Sequence, residues 1–171
     1  MIKCIIFSTL ARVINYYLRM DYYLYLNVQP YLAAFIIKSY GNPVELERDS
    51  PESRIIREYI SKTPEGVQPD TGEGTNLTIR LPFFKEADPR VYNYMGKAAK
   101  KTLEESFDQL IEKCMIKEIG SLENCRRGKI SSMIYAWMEK HGIPDEGANW
   151  YTISQKYYRL RKKYLLKGIK L

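Results

Sequence analysis

Apolar residues fall at alternate positions early in the chain and at three- and four-residue steps later on, so strands are expected first and helices afterwards. Tyr22–Val28 (YYLYLNV) alternates and is rich in tyrosine, which predicts a strand. Pro30 suits the first turn of a helix over Tyr31–Tyr40, with Leu32, Phe35, Ile36 and Tyr40 on one face and Gly41 closing it. Val44–Glu47, after Pro43, is a short strand candidate. Ser50 is the N-cap of a second helix, Pro51 and Glu52 suit its first turn, and Ile55, Ile56, Tyr59 and Ile60 form its stripe. Thr63–Thr75 holds Pro64, Gly66, Pro69, Gly72 and Gly74 and reads as a mobile loop. Asn76–Phe84 alternates through Leu77, Ile79 and Leu81, a third strand. Residues 20–86 are therefore expected to form a small mixed three-stranded β-α-β-α-β unit.

The remainder, 87–171, has the pattern of three helices, which makes the fold class α+β. The first is expected to open on Asp88-Pro89, carry Val91, Met95, Ala98, Leu103, Phe107, Leu110, Ile111 and Cys114 inward, and close at Gly120 after Ile119. The second spans Lys129–His141 with Ile130, Met133, Ile134 and Trp137 on one face. Gly142 supplies a left-handed cap, Ile143 its apolar contact, and Pro144 follows. The third starts on Asn149 as N-cap and runs to Leu166. These last two helices resemble a helix-turn-helix pair, although the connection, Gly142–Ala148, exceeds the usual three- or four-residue turn.

The 171-residue composition, 45% hydrophobic and 27% charged, is that of a folded domain and excludes wholesale disorder. Its net charge of +7 is unevenly placed. Arg126–Leu171 holds 11 Lys and Arg against three acids, while the preceding residues hold 16 basic and 17 acidic groups. A neutral body with a cationic C-terminal quarter suits a polyanion, nucleic acid before an anionic membrane. Residues 1–19 form a leader of doubtful status. Their short apolar run is broken by Arg12, lacks a small-residue cleavage site and is too short to span a bilayer, and MDYYLYLNVQ offers a clean start at Met20. With Cys4, Cys114 and Cys125 widely spaced and consistent with free thiols, the expected location is the cytoplasm, with no membrane partner.

At about 100° per residue, the last helix turns Ile153, Tyr157, Leu160 and Tyr164 toward a core. Gln155, Tyr158, Arg159 and Lys162 lie opposite, Lys156 and Lys163 flank one side, and Arg161 borders the apolar edge. Arg and Gln read base edges in a major groove, and Lys and Tyr hold phosphates. The expected nucleic-acid-binding set is thus Gln155, Lys156, Tyr158, Arg159, Lys162 and Lys163, joined by Arg126, Arg127 and Lys129 ahead of the preceding helix. The expected partner is duplex DNA, and a homodimer would double the phosphate contacts, with Tyr22, Tyr23 and Tyr25 either its edge or simply core. Two other readings fit the same face: a phage or element assembly protein whose basic helix meets an acidic protein, and RNA binding, for which no aromatic β-sheet motif is present.

IYAWMEKHGI (Ile134–Ile143) and YYLYLNVQPYLAAF (Tyr22–Phe35) resemble uncharacterised short basic proteins of bacterial prophages and conjugative elements. The resemblance spans the chain from about Met20 onward. It implies a mobile-element setting, where DNA-binding accessory proteins are common, and carries no specific activity.

No catalytic constellation stands out, so no enzyme activity, cofactor or metal is expected. One histidine excludes two-His metal sites, and His141 reads as a cationic partner for a helix C-terminus. Pro69-Asp70 and Pro144-Asp145 lack the acid-x-Lys pair of a metal-dependent nuclease. Gly72-Glu73-Gly74 lacks the length and lysine of a phosphate loop, and Asp70 and Glu73 read as solvated loop acids.

Overall fold

The computed structural model describes residues 21–68, 70–125 and 129–166; for 122–125 and 166 only the backbone is described. The leader 1–19, Arg126 and Arg127 lie outside the described residues. The elements are β1 (Tyr23–Leu26), α1 (Pro30–Tyr40), α2 (Pro51–Tyr59), β2 (Ser61–Lys62), β3 (Leu77–Arg80), β4 (Tyr92–Tyr94), α3 (Lys97–Cys125), α4 (Ile130–Lys140) and α5 (Gly147–Leu166). The fold is mixed α+β: a strand-and-helix region followed by a three-helix bundle.

β1 and β3 pair antiparallel, with Leu24 opposite Ile79 and Leu26 opposite Leu77, and all four are buried. Their alternation is what the sequence pattern called for. Asn76 lengthens the ladder by donating from Nδ2 to the Val28 carbonyl at 2.6 Å and accepting from the Val28 N–H at 2.9 Å. The expected three-stranded sheet is reduced, because Val44–Glu47 contributes only a single parallel bridge, Val44 to Ile79. A second small sheet pairs β2 with β4 and has no counterpart in the pattern. Both α1 and α2 begin on proline, and Ser50 caps α2 by accepting from the Ser53 N–H at 3.1 Å.

The long helix begins later than expected. Asp88 instead closes a turn: its carbonyl accepts from Val91 and Tyr92, and its carboxylate holds the backbone N–H and guanidinium of Arg90. Tyr92–Tyr94, β-prone by composition, then pairs as β4 before α3 starts at Lys97. Nor does the helix stop at Gly120, which is buried inside α3. Leu103, Phe107, Ile111, Met115 and Ile119, one every four residues, make the fully buried stripe of α3. The helices α1, α2, α4 and α5 all pack on α3, and one continuous core joins Leu24 in β1 to Tyr157 in α5. Glu52, 3% exposed, accepts from the Ser106 hydroxyl at 2.8 Å and ties α2 to this helix. No helix among the described residues is long and apolar enough to cross a membrane.

Candidate nucleic-acid interface

The α4 C-terminus is built as its sequence predicts. Gly142, at φ +66°, donates to the Glu139 carbonyl at 3.1 Å, and Ile143 donates to Met138 at 2.9 Å while its side chain is buried. This double bond is the Schellman arrangement. Residues 141–146 then lead into α5, which starts at Gly147, two residues before the expected N-cap. Asn149 stands within its first turn, buried, and donates from Nδ2 to the Pro144 carbonyl at 3.2 Å. Tyr135 of α4 stacks on Trp150 of α5 with centroids 5.4 Å apart, which fixes the two helices against each other.

Ile153 and Tyr157 are fully buried, Leu160 is buried at its edge, and Tyr164 is half-buried, as the wheel places them. On the opposite side Tyr151, Gln155, Tyr158 and Lys162 are exposed and share an arc of about 60°. Arg159 and Lys163 are exposed beside them. The stripe from Tyr151 to Lys162 extends about 16 Å along the helix. α5 holds no acidic residue, and no described carboxylate pairs with Arg159, Lys162 or Lys163. Lys163 also borders a cleft of about 230 Å³ between α3 and α5, with Gln109, Glu112 and Tyr164. Lys129 is exposed at the N-cap of α4.

Lys156 does not belong to that surface. Its side chain is 7% exposed and turned onto α3, where the ammonium donates to Asp108 and lies 3.6 Å from Glu112. It also sits 5.9 Å from the centre of the Tyr31 ring. Burial pushes the Tyr31 phenol up, and the Asp108 charge adds to it, so the hydroxyl keeps its proton and donates to Asp108 at 3.0 Å. Sequence reasoning missed this because a flanking lysine can turn either way, and its partners lie 48 and 44 positions away.

Of the loop acids, Asp70 has structural partners. Asp70 accepts from Lys100 at 2.8 Å and from the Gly72 N–H at 3.2 Å, fastening the 63–75 loop to the start of α3. Partial burial pushes its carboxyl up, but these two hydrogen bonds outweigh burial and hold it below the usual carboxylate range. Glu73 is exposed, as is Asp145. Tyr22, Tyr23 and Tyr25 are half-buried and line a cleft of about 520 Å³ with Asp70, Asn93 and Lys100. His141 stands at the C-terminus of α4 and also meets Cys114 and Glu118 of α3, a grouping the sequence analysis did not find. The only signal was the four-residue spacing of Cys114 and Glu118.

Comparison with models of known families, with curated proteins and with solved structures returned no match to this chain.

Proposed function

We propose that the chain is a DNA-binding accessory or regulatory protein of a mobile element that docks the exposed face of α5 on duplex DNA in the cytoplasm. The observation that carries this reading is the acid-free stripe of Tyr151, Gln155, Tyr158 and Lys162, with Arg159 beside it, on a helix whose other side is buried. An α-helix fits a major groove about 12 Å wide, where Gln and Arg address base edges and Lys and Tyr hold phosphate. α4 and α5 then act as a helix-turn-helix-like pair, with α3 as the supporting third helix and the six residues 141–146 as a long turn. A second copy would double the phosphate contacts. Lys156 contributes by holding α5 on α3 rather than by touching DNA.

Fluorescence anisotropy on a labelled duplex tests the reading. Binding should weaken with salt at a log–log slope of about −0.9 per phosphate contacted. Exchanging Arg159 and Lys162 together for Glu should weaken it more than about tenfold, with circular dichroism unchanged because both point to solvent. Equal binding by the double variant would refute the reading and direct the basic face to an acidic protein partner.

A further inference from the structure

Cys114 and Glu118 are one helical turn apart on α3 and project from the same face. His141 approaches them from the end of α4. Its Nε2 is 2.9 Å from Glu118 Oε2 and 3.7 Å from Cys114 Sγ, and the three donor atoms all lie within 4.8 Å of one another. The imidazole packs beside two stacked aromatic rings, 4.6 Å from Trp137 and 5.1 Å from Phe35. The same nitrogen faces both acid and thiol, which does not suit a nucleophile relay, where the carboxylate orients one ring nitrogen and the other meets the sulfur. Convergence on a single point is instead the requirement of a metal ligand set.

The dimensions agree. Tetrahedral zinc with Zn–S of about 2.3 Å and Zn–N and Zn–O of about 2.0 Å holds S and N about 3.6 Å apart and N and O about 3.3 Å apart. The observed 3.7 Å between sulfur and nitrogen already fits, the 2.9 Å between nitrogen and oxygen must open by about 0.4 Å, which rotation of the glutamate side chain supplies, and the sulfur–oxygen pair lies within 4.8 Å. Lys140, 2.8 Å from Glu118 Oε2, serves as the outer hydrogen-bond partner of a ligating carboxylate. A second observation is independent of these distances. The Trp137 indole N–H is buried, and the acceptor it faces is the Cys114 sulfur, too far or too poorly aligned for a full hydrogen bond. A thiol is a weak acceptor, whereas a metal-bound thiolate accepts such a donor more strongly.

We propose that Cys114, Glu118 and His141 form a Zn²⁺ site, with water in the fourth position, that ties the end of α4 to the middle of α3. On binding, the Cys114 sulfur gives an electron pair to the cation and its proton passes to bulk water; nothing is oxidised or reduced. All three residues are partly exposed, so the cation can enter from solvent. The site stands independently of DNA binding.

The test is titration of the reduced, EDTA-stripped full chain with Co²⁺ and then Zn²⁺. One Co²⁺ should bind per chain with a sulfur-to-cobalt charge-transfer band in the near ultraviolet, and one equivalent of Zn²⁺ should discharge it. The Cys125→Ser control should keep the band, Cys114→Ser should lose it, and His141→Gln should weaken Co²⁺ binding by at least about tenfold. A band that survives Cys114→Ser, or affinity unchanged in His141→Gln, overturns the proposal. So does the absence of the band in the unsubstituted protein, however the variants fold.

Discussion

Replacing Lys156 by Met keeps the length of the buried stem and removes the ammonium that faces Asp108 and Glu112. Opposite charges about 3 Å apart attract by about 5.5 kcal/mol at an effective dielectric constant of about 20, but withdrawing the ammonium from water offsets much of that. Breaking a wholly buried pair costs about 3–5 kcal/mol. Here the Asp108 side chain is 34% exposed, so water screens it and the expected loss for Lys156→Met is smaller, about 1–3 kcal/mol. Asp108→Asn strands the cation with only Glu112 at 3.6 Å, and should cost more, about 2–4 kcal/mol, or about 4–16 °C in Tm. The double variant should be more stable than the sum of the single losses implies, since neither charge is left alone. Urea denaturation followed by circular dichroism measures all three, and anisotropy at a temperature where each is folded measures DNA binding, which Lys156→Met should leave within about twofold. A Lys156→Met variant that melts like the parent yet binds DNA tenfold more weakly would refute the reasoning and return Lys156 to the binding face.

Gly142→Ala should lower stability by about 1–2 kcal/mol, measurable as a fall in Tm, because φ is +66° there; the added Cβ would meet only the flexible Lys38 side chain at 3.4 Å. Asp70 is held below its ordinary pKa in the folded state, so its contribution to stability is present above the unfolded carboxylate range and lost as pH falls through the folded value. Curves of Tm against pH for the parent and Asp70→Asn should therefore separate near neutrality and converge in acid, and parallel curves would contradict the assignment.

The periodic elements were readable because their information is local. Leu24 and Leu26, the Ser50-Pro51 start, the Gly142-Ile143 cap and the Ile153, Tyr157, Leu160 stripe each follow from residues within one or two turns. What escaped depended on distant partners. β2 and β4 each have two or three residues and form only because the other is present. Asp88-Pro89 carries the signature of a helix start, yet Arg90 takes the Asp88 carboxylate and makes a turn of it. Gly120 reads as a stop, yet α3 runs through it to Cys125. On α5, spacing identified Gln155, Tyr158, Arg159, Lys162 and Lys163 as outward, but the acids that draw Lys156 inward sit on another helix. Likewise, a count of histidines and cysteines leaves out the carboxylate, Glu118, that α3 places beside Cys114 and His141.

The central place of α3 also bears on how the chain is made. β1 leaves the ribosome about fifty residues ahead of β3, its partner in the sheet, and α1 and α2 emerge with Ile36 and Ile56 uncovered. The wall those side chains press against is not synthesised until Leu103 and Phe107 follow. A nascent chain halted before Lys97 therefore lacks the helix on which α1 and α2 pack, and apolar faces left open in this way are the state in which chaperone capture competes with aggregation. Synthesis of α3 supplies the surface on which both halves of the protein pack.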